Sequence, residues 1–410
     1  MRQVAVIGGG AAGMTAAITA AREHDHVILL EHTAQLGKKI LYTGNGRCNL
    51  TNRRQAPDCY RCAEPVFVKE ALEQFGFDKT LDFFRERGLF FKERDGYFYP
   101  RSLQASAVRD CLLGGLAEYG VDVRTGFRTS SIIKEDGRFL VAGRETSFSA
   151  DSVILACGGM AAPATGSDGS GYGLALRLGH RLVEPVPALT GLRTRGTSLK
   201  KASGVRTACR VSLYIKKGGQ RILAAEDTGE LQITDYGVSG IPVFQVSRYA
   251  SRALADGDES WIVLDFLPEY GEEEGDRMLE ALLSGERADR PCQEILCGLF
   301  PDKLAAALLK AVKVPSHLPA ESLTEKQRAY LKRAVRAFSM TVAEVNPFSQ
   351  SQTTAGGIDV RDVNGATMES KLVPGLFFAG EILDVDGICG GYNLQWAWTS
   401  GWLAGKQGRL

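Results

Sequence analysis

The chain of 410 residues lacks most of what would make its partners obvious. Its formal net charge is only +1, which argues against a globally nucleic-acid-like surface while leaving room for a local basic patch. No stretch is long and apolar enough to cross a bilayer as a helix. The uncharged run Gln3–Ala21 mimics a secretory leader, but its glycines suit a nucleotide loop better, so it is expected to be structure. Nine cysteines give an odd number, and the single C-x-x-C, Cys59 to Cys62, has no second pair. A reduced, cytoplasmic protein with no metal site is expected. Internal repeats and low-complexity segments are also missing. Hydrophobic content of 44% and charged content of 24% are those of a globular protein with two or three domains.

What is present sits at the two ends. Val4–Ile7 is a short apolar run suited to a buried parallel strand, followed by Gly8, Gly10 and Gly13 in G-x-G-x-x-G and an Ala-rich helical stretch that includes Ala12. Gly8 permits the tight turn, Gly10 lets the backbone approach a pyrophosphate, and Gly13 lets helix and strand pack closely. The helix start offers free N–H groups and a positive dipole end. A second strand, His26–Leu30, ends in Glu31, where an acid would bond a ribose hydroxyl and disfavour a 2′-phosphate. At the other end, Leu376–Phe378 reads as a strand closed by Gly380 and Glu381, where the acid can meet the ribityl or pyrophosphate region. Gly390 and Gly391 precede a helix expected over Tyr392–Leu403, whose start would aim its dipole at a flavin ring. Trp396, Trp398 and Trp402 on it are expected to pack. The two ends together point to one dinucleotide, FAD, held by both.

Between them, 37–52 (GKKILYTGNGRCNLTN) is too rich in Gly, Asn and Thr for a helix and is expected to run along the cofactor. Lys39, Gly44, Asn45, Arg47, Cys48 and Asn49 are its candidate contacts, Arg47 alternatively reaching an anionic substrate group. The stretch 156–173 (ACGGMAAPATGSDGSGYG) lacks a strand–turn–helix context and reads as a second wall, with Ala156 and Gly158 as contacts and Thr129 nearby. Gly391, Asn393 and Leu394 complete the cofactor candidates. No second nucleotide fingerprint exists, so a nicotinamide would have to dock transiently. Helices are expected at Pro65–Phe75, Lys79–Arg87 and Gln104–Tyr119, and a small antiparallel meander between Thr129 and Phe148. Pro185 and Pro187 mark a boundary. The chain is therefore divided into 1–187, an inserted module over 188–345 that is strand-like at 189–263 and helical at 270–337, and 346–410 finishing the first domain. Within the insert, Arg193 to Arg221 carries nine basic residues in a stretch, Pro187–Ala225, that has no acid. It is either a barrel face balanced by acids such as Glu272–Glu274 or a surface for an anion such as RNA phosphates.

These motifs resemble the BaiN/RdsA-type NAD(P)/FAD-dependent oxidoreductases. The resemblance rests on VIGGGAAGMTAA at 6–17, GKKILYTGNGRCNLTN at 37–52, GSDGSGYGLALRLGH at 166–180, GELQITDYGVSGIP at 229–242, TTAGGIDV at 353–360, TMESK at 367–371 and GEILDVDGICGGYNLQWAWTSG at 380–401. It covers the chain from end to end. Two departures stand out: Cys157 where relatives tend to have Thr, and Ile241 extending the usual Ser-Gly-Pro. The resemblance implies an α/β, Rossmann-like FAD-binding domain interrupted by a β-barrel and helical insertion. It implies reduction by NADH or NADPH and reduction of a conjugated C=C bond. The substrate would be a steroid or bile-acid enone, or a uridine of ribosomal RNA met by the basic segment 193–221. An aminoacetone-type amine oxidase using oxygen is the alternative. Cys389, Tyr392 and Cys48 are the candidate proton donors.

Overall fold

The computed structural model describes residues 2–196 and 199–407. They form two compact units, Met1–Pro185 with Gln352–Leu410, and Val186–Ser351.

The first unit is built on five parallel strands. In chain order they are Gln3–Ile7, His26–Glu31, Asp122–Thr125, Ser152–Leu155 and Leu376–Phe378. In space the third, second, first, fourth and fifth lie side by side. Val4 pairs with Ser152 and Ile7 with Leu155, while Gln3 pairs with His26 and Ile28 with Asp122. This is the doubly wound order, in which the chain reverses direction between strands one and four and leaves a crevice at their carboxyl ends. Burial explains the composition: Val4, Ala5, Val6, Val153, Ile154 and Leu155 are wholly enclosed, as a sheet covered on both faces requires. The expected meander is present as Ser131–Glu135, Arg138–Ala142 and Ser147–Ala150.

Two helices far apart in sequence pack on each other against this sheet. Ala11–Arg22 and Tyr392–Lys406 approach through small residues: a Cβ on Gly401 would stand 2.5 Å from Ala12 O, and one on Gly405 2.6 Å from Ala16 O. Both numbers rise by four, so the helices run parallel. Trp396 and Trp398 are buried, and their ring N–H groups donate to Gly380 O at 3.2 Å and Leu50 O at 3.0 Å. The expectation that 37–52 holds no helix is corrected in one detail. Lys38–Tyr42 is a single helical turn, stopped where Gly44 and Asn45 adopt left-handed backbone.

The second unit is a closed antiparallel barrel in the order Leu192–Thr194, Gly237–Gly240, Gln220–Ile233, Arg206–Lys217, Ser260–Asp265 and Phe338–Val345. Leu213, Leu231, Ile233, Val238, Ile262 and Leu264 are fully buried in this unit's core. Within the strand-like region lies a helix, Ile241–Ala255. Pro242 sits in its first turn, and Val243, Val246, Ser247 and Ala250 recur on one buried side, so the β-branched content had masked a helical period. Its other helices include Glu272–Ser284, Asp302–Ala311 and Glu325–Arg336, the last opened by a capping box of Thr324 and Gln327. The unit reaches past residue 345, because Asn346 N donates to Gly191 O at 2.9 Å and Thr190 Oγ1 to Gln350 O at 3.3 Å.

Three of the nine cations of the basic run meet acids of the same barrel. Arg206 pairs with Glu230 at 3.1 Å, Arg210 with Asp265 at 3.5 Å and Lys216 with Glu259 at 3.2 Å. Arg221 lies over the rings of Tyr214 and Trp261, and Arg193 donates to Asn346. The balancing acids thus come from neighbouring strands and a strand-flanking loop, not from Glu272–Glu274.

Candidate functional site: a dinucleotide cleft

The crevice at the sheet's switch point is a cleft with about 1190 Å³ of space up to its open mouth, lined entirely by the first unit. Ile7 and Gly8 from the first strand face Ala156 and Gly158 after the fourth. The three fingerprint glycines divide the work. A Cβ on Gly13 would stand 1.8 Å from Gly8 O, so Gly13 serves helix–strand packing. Gly8, at φ +106, turns beneath Ala156 O. Gly10 alone has nothing within 4 Å of a would-be Cβ, so its backbone is open to whatever fills the cleft.

Glu31 is buried at the end of the second strand. Its Oε2 accepts from Gly9 N and its Oε1 from Thr33 N, each at 2.7 Å. A carboxylate offers about four acceptor positions, so capacity for a hydroxyl remains. The opposite wall is set by Glu381. Its Oε2 meets Lys39 Nζ at 2.7 Å across 342 residues of sequence. Its Oε1 accepts from Thr354 N at 3.1 Å and Thr354 Oγ1 at 2.8 Å. Thr354 Oγ1 in turn accepts from Met160 N and Ala161 N, at 2.8 and 3.0 Å. One carboxylate thereby ties the 37–52 stretch, the second glycine-rich wall and the C-terminal segment together.

Of the other cofactor candidates, Ala12, Thr129, Gly380, Asn393 and Leu394 also line the cleft. Asn393 does so with its side chain committed: Oδ1 accepts from Gly387 N at 2.8 Å and Nδ2 donates to Gly387 O at 3.0 Å. Gly391 is the residue before the C-terminal helix, at φ 95, pressed on Thr51 and Asn49. Gly44, Asn45 and Arg47 are exposed on the rim beyond the cleft lining, with Asn49 beside Gly391. Cys48 is in the core, 0% exposed, its thiol pushed up to about 12 by burial. Tyr392 is also buried, edge-on to Tyr60 at 5.8 Å, and burial together with Cys59 raises its phenol above the usual range. Cys389 is half-buried on the loop before it. Cys59 is buried and Cys62 half-buried, both as free thiols. Wall residues that motif reading passed over are His32, Phe127 and Arg128, while Ser167 belongs to the stretch read as the second wall. Phe127 and Arg128 follow the third parallel strand, and the carboxyl end of a parallel strand is the signal that could have marked them.

The residues fit a dinucleotide on three observations. Gly10 leaves its approach open. Thr129 Oγ1 and Ser167 Oγ are buried in the wall without a hydrogen-bond partner among the described residues. Two helix starts serve one cleft: Ala11 and Ala12 from the first helix, Asn393 and Leu394 from the last, neither with a side-chain cap. With Gly401 opposite Ala12, the last helix runs about eight residues beyond the first, roughly 12 Å at 1.5 Å per residue. Two positive dipole ends therefore stand staggered along the cleft.

The HI0933-like protein Rossmann domain model matches residues 2–407. The chain belongs to the HI0933-like family. It is 45% identical over 408 residues to a 3-dehydro-bile acid delta(4,6)-reductase of Clostridium scindens, covering 99% of this chain and 98% of that one. To a ribosomal RNA dihydrouridine synthase of Escherichia coli it is 26% identical over 405 residues, 98% and 96% of the two chains. Among solved structures, 3-ketosteroid delta1-dehydrogenase from Sterolibacterium denitrificans aligns with a TM-score of 0.51 over 99% of each chain at 14% identity, a likeness of fold. The HI0933-like chain thus has a Rossmann-type FAD-binding fold with a closed six-stranded barrel, as its motifs implied.

Proposed function

We propose that this protein binds FAD in the cleft and uses NADH or NADPH to reduce the electron-poor C=C bond of a small enone of the steroid or bile-acid class. The observation that carries this reading is 45% identity, over nearly the whole of both chains, to a reductase named for a bile-acid substrate. The cleft supports the cofactor half: Gly10 and the first helix start would hold the pyrophosphate, Glu31 a ribose, and the last helix start the ring end. Bound FAD supplies the hydride chemistry, so that enone, nicotinamide and one proton become saturated ketone and oxidised nicotinamide.

The chain's own residues orient and supply the proton. Glu381 and Lys39 clamp the middle of the cleft, and Asn393 braces Gly387 so that the loop up to Gly391 keeps one conformation. None of the three donor candidates lines the cleft itself; Cys389 is the half-buried one, on the loop leading to the helix start that does, and we assign the proton to it. Cys48 is enclosed, and Tyr392 packs against Tyr60. Three cations of the barrel, Arg206, Arg210 and Lys216, already have acids, which takes part of the support from the RNA reading.

The test is anaerobic titration of the FAD-loaded protein with NADH and then NADPH, followed by mixing with a 3-oxo-Δ4 steroid acid. Bleaching of the flavin band and its return with enone are expected. A flavin that neither nicotinamide bleaches, but that a small amine reduces, would replace this reading by an amine oxidase. Cys389→Ser should slow return of the band about 100-fold or more while bleaching keeps its rate.

A further inference from the structure

A second feature of the first unit borders the same cleft. Strands Phe91–Arg94 and Tyr97–Pro100 form a hairpin in which Lys92 pairs with Tyr99 and Arg94 with Tyr97. Directly opposed residues of an antiparallel pair share a face. Phe98 and Pro100 are buried on the other side. The outward face therefore carries two tyrosines and two cations. Arg47 is a third cation beside it. Burial and Tyr97 push the Tyr99 phenol up, and the nearby charges of Arg94 and Arg47 oppose them.

The acids leave this face positive. Glu93 belongs to the opposite side, where it meets Arg53 at 3.5 Å and Gly96 N at 3.1 Å. Asp95 in the turn reaches Arg94 only at 3.7 Å, both side chains being about four-fifths exposed (79% and 83%). Lys92 and Arg47 have no ion-pair partner among the described residues. Such a face is electropositive and presents flat rings.

Its position ties it to the cleft. A Cβ on Gly390 would stand 2.9 Å from Tyr97 Cε1, and Asn52 Nδ2 donates to Gly390 O at 3.4 Å. Gly390 and Gly391 lead into the helix whose Asn393 and Leu394 line the cleft. The hairpin thus flanks the end of the cleft assigned above to the flavin ring.

We propose that this hairpin face docks the adenosine diphosphate half of the nicotinamide dinucleotide that reduces the enzyme. The inference rests on the reading of the protein as a nicotinamide-dependent reductase. Charge complementarity selects the occupant. A diphosphate carries two negative charges close together and needs several cations, whereas one carboxylate is satisfied by one. The adenine ring matches an exposed tyrosine face, and a guanidinium beside it adds to the stacking. A surface site also agrees with a sequence that holds one nucleotide fingerprint and no second, because a reductant that leaves after each cycle needs only weak, salt-sensitive docking.

The experiment uses the FAD-loaded protein carrying Lys92→Glu with Arg94→Glu, and a milder companion with both changed to Ser. Anaerobic stopped-flow with NADH and NADPH should show the apparent Kd raised about tenfold or more in the Glu pair and less in the Ser pair, with the limiting bleaching rate within about twofold of the parent. Calorimetry with oxidised NAD+ and NADP+ should show the same loss of affinity without any turnover. Unchanged nicotinamide affinity in both variants overturns the proposal. So does a defect confined to reoxidation by a carboxylated enone, which would give the face to the substrate. Failure of the parent flavin to bleach with either nicotinamide overturns the reductase reading and this docking surface with it.

Discussion

Gly10→Ala separates a glycine kept for a ligand from one kept for the fold. The backbone at Gly10 is extended, φ −81 and ψ −167, so alanine adopts it without strain. A Cβ there meets nothing within 4 Å. The apoprotein should therefore change by no more than about 1 kcal/mol, because alanine has fewer unfolded conformations to lose but caps the helix Ala11–Arg22 less well than glycine. For a unit of this size that is a melting temperature within about 4 °C of the parent. If the open space belongs to FAD, the same methyl group intrudes on the cofactor. Overpacking a close contact costs about 1–3 kcal/mol, which weakens FAD binding about 5- to 150-fold. The assay is thermal denaturation of the apoprotein beside an FAD titration of the same preparation. Gly13→Ala is the contrast, since its Cβ would stand 1.8 Å from Gly8 O and should lower apoprotein stability directly. An FAD affinity unchanged in the Gly10 variant would refute the placement of the cofactor. A collapsed apoprotein would refute the geometry.

Gly401→Ala puts a methyl group 2.5 Å from Ala12 O and should cost about 1–3 kcal/mol, seen as a lower melting temperature with or without FAD. An unchanged melting temperature would mean that the two helices are not in this register. Glu381→Gln can keep one oxygen on both Thr354 donors, but it leaves Lys39 without its counter-charge and facing an amide NH2, so a loss of about 1–3 kcal/mol is expected by denaturant titration. His180 is buried, with Nδ1 3.2 Å from Ala175 O and Nε2 2.7 Å from Ser370 Oγ, and burial lowers its pKa. The unfolded chain then binds the proton that the fold refuses. The His180 contribution is present above the unfolded value near 6.5 and is lost as pH falls through it. His180→Gln should flatten the decline in denaturation midpoint between pH 7 and pH 5, and an equally steep decline would remove His180 as its cause.

What could be read along the chain was whatever neighbouring residues decide among themselves. Val4–Ile7, its three glycines, the helix and Glu31 form a continuous stretch whose periodicity and turn chemistry announce a nucleotide site before any contact is known. The same local logic located the meander and the helix starting at Tyr392. It failed inside Ile241–Ala255, where β-branched residues suit a strand by propensity and a helix by spacing, and burial on one side settled the matter. Only the tertiary structure decided the rest, because it depends on which distant segments meet. Lys39 finds Glu381 across 342 residues. Gly401 and Gly405 look like helix-weakening residues until Ala12 and Ala16 are seen against them. The run from Arg193 to Arg221 reads in sequence as either a balanced barrel face or an anion surface, and only strand pairing and the loop before Ser260–Asp265 bring Glu230, Glu259 and Asp265 to three of its cations. Cys48 reads as a proton donor until burial encloses it. The cations beside Tyr97 and Tyr99 count for nothing in composition, and become a surface only because antiparallel register sets them on one face next to Gly390. Backbone propensity and side-chain period are short-range properties. Charge balance, close approach and access are sums over everything the fold brings within a few ångströms, and no window of sequence contains them.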